Sequence, residues 1–179
     1  MQTYTVNLKG IYRDVATAAD GTVLYDSGWC SNTIVERCRI LLAGFIRNDS
    51  TSGIQHLQVG QGDVMWDANG APTPNSGETA LVAPAADAPI TFANLEVAYL
   101  SPGGTTLPAT DPPTPQLQIT ATLPAGYPAP LAGESVYPLR EFGLFGQFGS
   151  TLYMINNVRH PVIFKEASTT LTRIVRLYF

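Results

Sequence analysis

Charge is what this sequence has least of. Of its 179 residues, 13% are charged and 45% are hydrophobic. The usual charged share of a soluble domain is about a quarter. A globular chain this poor in charge has a small free surface or covers much of it with partners. Histidine and cysteine are also scarce: His56, His160, Cys30 and Cys38 are the full set. No combination of them has zinc-ligand spacing, so neither a metal nor another cofactor is expected. Without a secretory signal, the two thiols read as reduced and buried. No apolar run approaches the roughly 18 residues of a membrane span. The start, Met1-Gln-Thr-Tyr-Thr-Val-Asn-Leu-Lys-Gly10, lacks a basic end and an apolar centre. The expectation is assembly in a cytoplasm, with no membrane partner.

The middle of the chain lacks bases altogether. All ten Lys and Arg fall in 9–47 or 140–176, while 48–139 holds eight acids. A phosphate-binding footprint needs clustered cations, so no nucleic-acid partner is expected there. Such segregation can steer like subunits together, acidic face to basic face. The simpler account is an acidic loop region. Proline is crowded into the middle, with thirteen of fourteen in 72–138. Proline cannot donate to a sheet, so this zone reads as loops around short strands.

What is present is strand periodicity. Residues 3–13 alternate through Tyr4, Val6 and Leu8, and 22–29 return after the Asp20-Gly21 turn as a hairpin. Further strands are expected at 54–60, 90–100, 116–123 and 140–148. The next are 152–155, followed by an Asn156-Asn157 turn, and 161–164. In 171–179, Leu171, Val175, Leu177 and Phe179 share one phase, with Thr172 and Arg176 between them. That pattern makes Val175, Leu177 and Phe179 candidates for a central or interface strand.

One helix is expected, 33–46. Ile34, Val35, Cys38, Leu41, Leu42, Phe45 and Ile46 form an apolar stripe at a 3.6 period, expected to pack on a sheet. Thr33 and Glu36 fit a capping box, and Gly44 and Asn48 mark an end. Together these elements predict a single mainly β domain over 1–179. Its expected form is a β-sandwich or jelly-roll-like body with one amphipathic helix. Residues 48–139 form an acidic, Pro-rich, loop-bearing insertion region, whose 63–89 and 101–115 loops are expected to reach neighbours.

Candidate chemistry is thin. Gly60-Gln-Gly62 lacks the third glycine and the helix of a dinucleotide site. Asp63, Asp67 and Asn69 lack the spacing of a calcium loop. Glu141 lies in an apolar strand beside Arg140, so it needs a partner. No second carboxylate or histidine is nominated for catalysis. Trp29, Trp66 and Tyr127 have the side chains that stack on sugars, though isolated aromatics more often anchor cores.

Three segments, in order, resemble structural proteins of tailed bacteriophages and related contractile-tail particles. The first is Ser27-Gly-Trp-Cys-Ser-Asn-Thr-Ile-Val35, leading into a helix that ends Leu41-Leu-Ala43. The second is Ile54-Gln-His-Leu-Gln-Val-Gly-Gln-Gly62, with Glu78-Thr-Ala-Leu81 behind it. The third is Leu139-Arg-Glu-Phe-Gly-Leu-Phe-Gly146, then Pro161-Val-Ile-Phe-Lys165 and the last strand. The Pro-rich middle has no counterpart. The resemblance implies a non-enzymatic virion subunit of the tail, neck or collar, or baseplate. Its partners would be copies of itself and other particle proteins, with no small-molecule substrate. It implies that Glu141, Gly143 and Phe145 hold the sheet or a subunit contact. The alternative is a carbohydrate- or receptor-binding module of a tail fibre.

Overall fold

The computed structural model describes residues 8–179. The expected alternation at Tyr4 and Val6 lies outside the described residues. Ten strands form one sheet: β1 (Lys9–Thr17), β2 (Val23–Asp26), β3 (Cys30–Ile34), β4 (Thr51–Gly60), β5 (Ile90–Thr91), β6 (Leu95–Tyr99), β7 (Gln116–Leu123), β8 (Val136–Phe148), β9 (Thr151–Glu166) and β10 (Thr170–Tyr178). Two helices accompany them, α1 (Glu36–Ile46) and the single turn α2 (Trp66–Asn69).

The strand order is β5-β4-β8-β9-β3-β1-β10-β7-β6, with β2 beside β1. A sandwich or jelly roll needs two separately paired sheets. Here two features join the halves into one nearly closed, barrel-like sheet. β3 changes partner midway: Cys30–Asn32 pair with β1, and Thr33 and Ile34 pair with β9. At the other edge, β5 pairs with β4 and β6 with β7, and only the 3₁₀ turn Phe92–Asn94 separates β5 from β6. Residues 48–139 thus contribute β4, β5, β6 and β7 to the wall.

Alternation decides which side chains fill the interior. Tyr12, Leu57, Ile119, Leu123, Phe142, Leu171 and Val175 pack there in one core. β8 is buried on both faces from Leu139 to Gly146, because the 61–89 segment covers its outside. Val35, Leu81, Phe145 and Met154 form a second, smaller core under that cover.

Several local expectations change. The helix starts at Glu36, and Thr33 stays in β3 opposite Asn157. No side chain caps α1; the Val35 and Glu36 N–H groups donate to the carbonyls of Ile155 and Ser76. A paired strand residue cannot also turn to cap. Gly44 lies within the helix and is buried instead of ending it, and Asn48 does end it, at φ 63°. The expected Asn156-Asn157 turn is instead the middle of a continuous β9. Both side chains are buried and used: Asn156 Oδ1 accepts from Leu144 N–H at 2.8 Å, and Asn157 donates to Glu78. Pro161 fits within β9 because the register with β8 shifts there, forming a bulge that needs no donor.

The α1 stripe is only partly buried. Cys38, Leu41 and Gly44 face the core, whereas Phe45 and Ile46 are 75% and 84% exposed. The helix lies against β4, β8 and β9 at one end of the barrel, so only its inner edge meets strands.

Candidate functional site

Three places in the fold gather the side chains that could serve a function. The first surrounds β8. Glu141 is fully buried, and its carboxylate accepts from Val82 N–H (3.0 Å) and Ala83 N–H (2.7 Å). Arg140, next to it, donates through Nε and Nη2 to both Asp67 oxygens, at 2.7 and 2.6 Å. That bond holds the Asp67 carboxyl below its ordinary range. Consecutive strand residues normally point to opposite faces. The register shift between Leu139 and Glu141 lets both reach the covering segment. Glu78, in the same segment, accepts from Asn157 and from Arg159 Nη2, the latter at 2.8 Å.

The 63–89 loop is therefore fastened to its own sheet. The acids of the middle and the bases of the C-terminal flank meet within one chain, through Asp67–Arg140 and Glu78–Arg159. Glu141 and Phe145 secure this cover, Phe145 from beneath it. Gly143 permits close strand approach: a Cβ there would lie 2.8 Å from the Asn156 carbonyl oxygen.

The second place is an apolar groove of about 320 Å³ where β6 and β10 end and β7 begins. Leu41, Leu42, Phe92, Tyr99, Leu177 and Phe179 are among its walls. Cys38 lies at its base, and burial pushes that thiol up to about 11, which keeps it protonated and unreactive. Of the β10 residues named from the sequence, Val175 is wholly core. Leu177 is buried at the groove, and Phe179 is half-exposed at its mouth with its N–H donating to the Pro115 carbonyl.

The third place was not anticipated. Asp14 on β1 and Arg173 on β10 are directly opposed and fully buried. Arg173 donates to both Asp14 oxygens at 2.7 and 2.8 Å. Its Nη2 also lies 3.0 Å from His160 Nε2, and its guanidinium rests 3.8 Å from the Phe142 ring centroid. His160 Nδ1 is 2.8 Å from the Pro161 carbonyl oxygen, so Nδ1 carries the proton and Nε2 accepts from Arg173. Burial, then the Arg173 charge, lowers the His160 pKa to about 4.

This trio spans a seam. β9 pairs with β3 only at Asn156 and Asn157, and among the described residues no strand pairs with that edge of β9 beyond them. Arg173–His160 joins the two halves of the wall where backbone pairing stops. Every member is nearly inaccessible to solvent. A signal existed in the sequence: Asp14 is in phase with Tyr12 and Ala16, and Arg173 with Leu171 and Val175.

The other sequence candidates are spread out. Trp29 stacks under Arg176, Trp66 under Arg159, and Tyr127 donates to the Ala88 carbonyl. Asp63 accepts from Met65 N–H, and Asp67 is occupied by Arg140. Among the described residues, no three His, Cys, Asp or Glu side chains gather as a metal site requires. Nor is any described helix long and apolar enough to cross a membrane. No protein-family model, curated protein or solved structure matches this chain.

Proposed function

We propose that this chain is a non-enzymatic structural subunit of a phage or phage-like particle, in the tail, neck or baseplate. It works as a symmetric multimer within the virion, alongside other particle proteins. The ordered resemblance of three segments supplies the particle. The observation that carries the assembly role is the apolar face around the groove. Leu42, Phe45, Ile46, Phe92, Tyr99 and Phe179 all keep a third or more of their surface in water at this end of the barrel. Contiguous exposed apolar surface of this kind marks an interaction site. The buried charges, in contrast, are spent inside the chain, on the covering segment and across the seam. Assembly through this face is driven by burial of apolar area, and its charges contribute little.

The test is the mass of the purified chain by light scattering at low and high salt. A discrete multimer that survives high salt supports the reading. A monomer at both salts refutes self-assembly. Dissociation by salt alone would return the interface to the charged surfaces.

A further inference from the structure

The geometry points to a second copy of this chain as the occupant of the groove, packed about a twofold axis with α1 against α1. This rests on the subunit reading above and names the partner and the contact. A twofold contact uses the same patch on both copies, so the patch must complement itself. This one carries a hole and its filling side by side. The hole is the groove of about 320 Å³ behind Leu42, Phe92, Tyr99 and Phe179. The filling is Phe45 and Ile46, one helical turn beyond Leu41 and Leu42, projecting at 75% and 84% exposure. Antiparallel packing of two α1 helices lets each copy place its Phe45–Ile46 pair in the other's groove.

Area agrees with this occupant. The six exposed side chains present about 600 Å² of apolar surface per copy, taking 150–250 Å² for a whole aromatic. A stable interface buries about 800 Å² on each partner, which these residues and the groove walls nearly reach. A small apolar ligand would fill the groove and leave Phe45 and Ile46 in water. Like charges would oppose a symmetric helix pair; of the cations on or next to α1, Arg37 and Arg47 are engaged at home and Arg39 is exposed. Arg47 is bonded to both Asp49 oxygens at 2.8 Å, and Arg37 lies 4.7 Å from the Tyr153 ring centroid.

The experiment is size-exclusion chromatography with light scattering, loaded at about 1 and about 100 µM. It compares the wild type, the double variant Phe45→Asp/Ile46→Asp, and Val64→Asp. Val64 is 67% exposed in the covering segment and does not line the groove, so it serves as the control. The wild type and Val64→Asp should form a dimer or an even-numbered multimer. The double variant should weaken association at least about tenfold while keeping the wild-type melting temperature, since both side chains are exposed in the single chain. A second readout is amide exchange of the wild type at the two concentrations. Added protection at high concentration should concentrate in the second half of α1 and around Phe92 and Tyr99. A multimer that persists in the double variant, or protection elsewhere, overturns this contact and leaves the subunit reading intact. A wild-type monomer at both concentrations overturns both.

Discussion

Replacing Asp14 with alanine should be among the most damaging single changes in this protein. Arg173 is fully buried, and Asp14 is its only carboxylate partner among the described residues. Without Asp14 the guanidinium keeps its charge in a dry interior, with the Phe142 face and one imidazole nitrogen as its remaining company. Breaking a buried pair from one side costs about 3–5 kcal/mol. A domain of this size holds only about 5–15 kcal/mol in total. At roughly 2–4 °C per kcal/mol, the melting temperature should fall by about 6–20 °C. Thermal melting followed by circular dichroism reads this directly. The paired replacement Asp14→Leu/Arg173→Met sharpens the test, because removing both charges leaves none stranded. It should recover most of the loss or exceed the wild type, by analogy with other buried pairs replaced by apolar groups. A fall below about 1 kcal/mol for Asp14→Ala would refute the reasoning. It would mean that water reaches Arg173 and that the seam is open.

The remaining predictions concern the same seam, the cover and the last strand. The folded His160 has a pKa of about 4, below the unfolded value of 6.5, so the unfolded chain binds more protons between those values. Its contribution is therefore complete above about pH 6.5 and is lost as pH falls toward 4, to the extent of about 3 kcal/mol. Urea melts of wild type and His160→Leu across that window should differ in slope; parallel curves would remove His160 from the seam. Glu141→Ala strips the acceptor from the Val82 and Ala83 N–H groups, whose hydrogen bonds are part-buried, and should cost about 1–3 kcal/mol. Hydrogen exchange should show Val82 and Ala83 exposed while β1 and β10 stay protected, and uniform loss would make Glu141 a general core residue. Leu42→Asp, at a position 36% exposed, should cost the single chain little and damage association instead. Deleting 175–179 removes two buried core residues together with Phe179 at the groove mouth, and should abolish folding; a soluble truncation with a cooperative melt would contradict it.

Strand periodicity was legible along several strands with one wet face, though the expected 90–100 strand is split by the 3₁₀ turn Phe92–Asn94. β7 falls where 116–123 was expected, and β10 keeps its inward set of Leu171, Val175 and Leu177. β8 and β9 were harder, because both faces of their central stretches are covered and the alternation vanishes. A buried asparagine pair then reads as a turn, although Asn156 bonds across to β8 and Asn157 to Glu78 of the cover. The need of Glu141 for a partner could be read locally. Which partner it finds could not, since Val82 and Ala83 lie 59 and 58 residues away.

The β-rich class, the main helix, the acidic and proline-laden middle and the in-phase core positions can all be read along the chain. Each follows from spacing within a few residues, where the period of a strand or helix acts directly. That the wall nearly closes was set in three dimensions, because it depends on β3 switching partners and on one segment pairing at both of its ends. Only the tertiary structure decided which charges neutralise each other and which half of the α1 stripe stays in water. Those outcomes depend on what lies opposite a residue, and in a sheet dominated by long-range pairing the opposite residue is set by the fold.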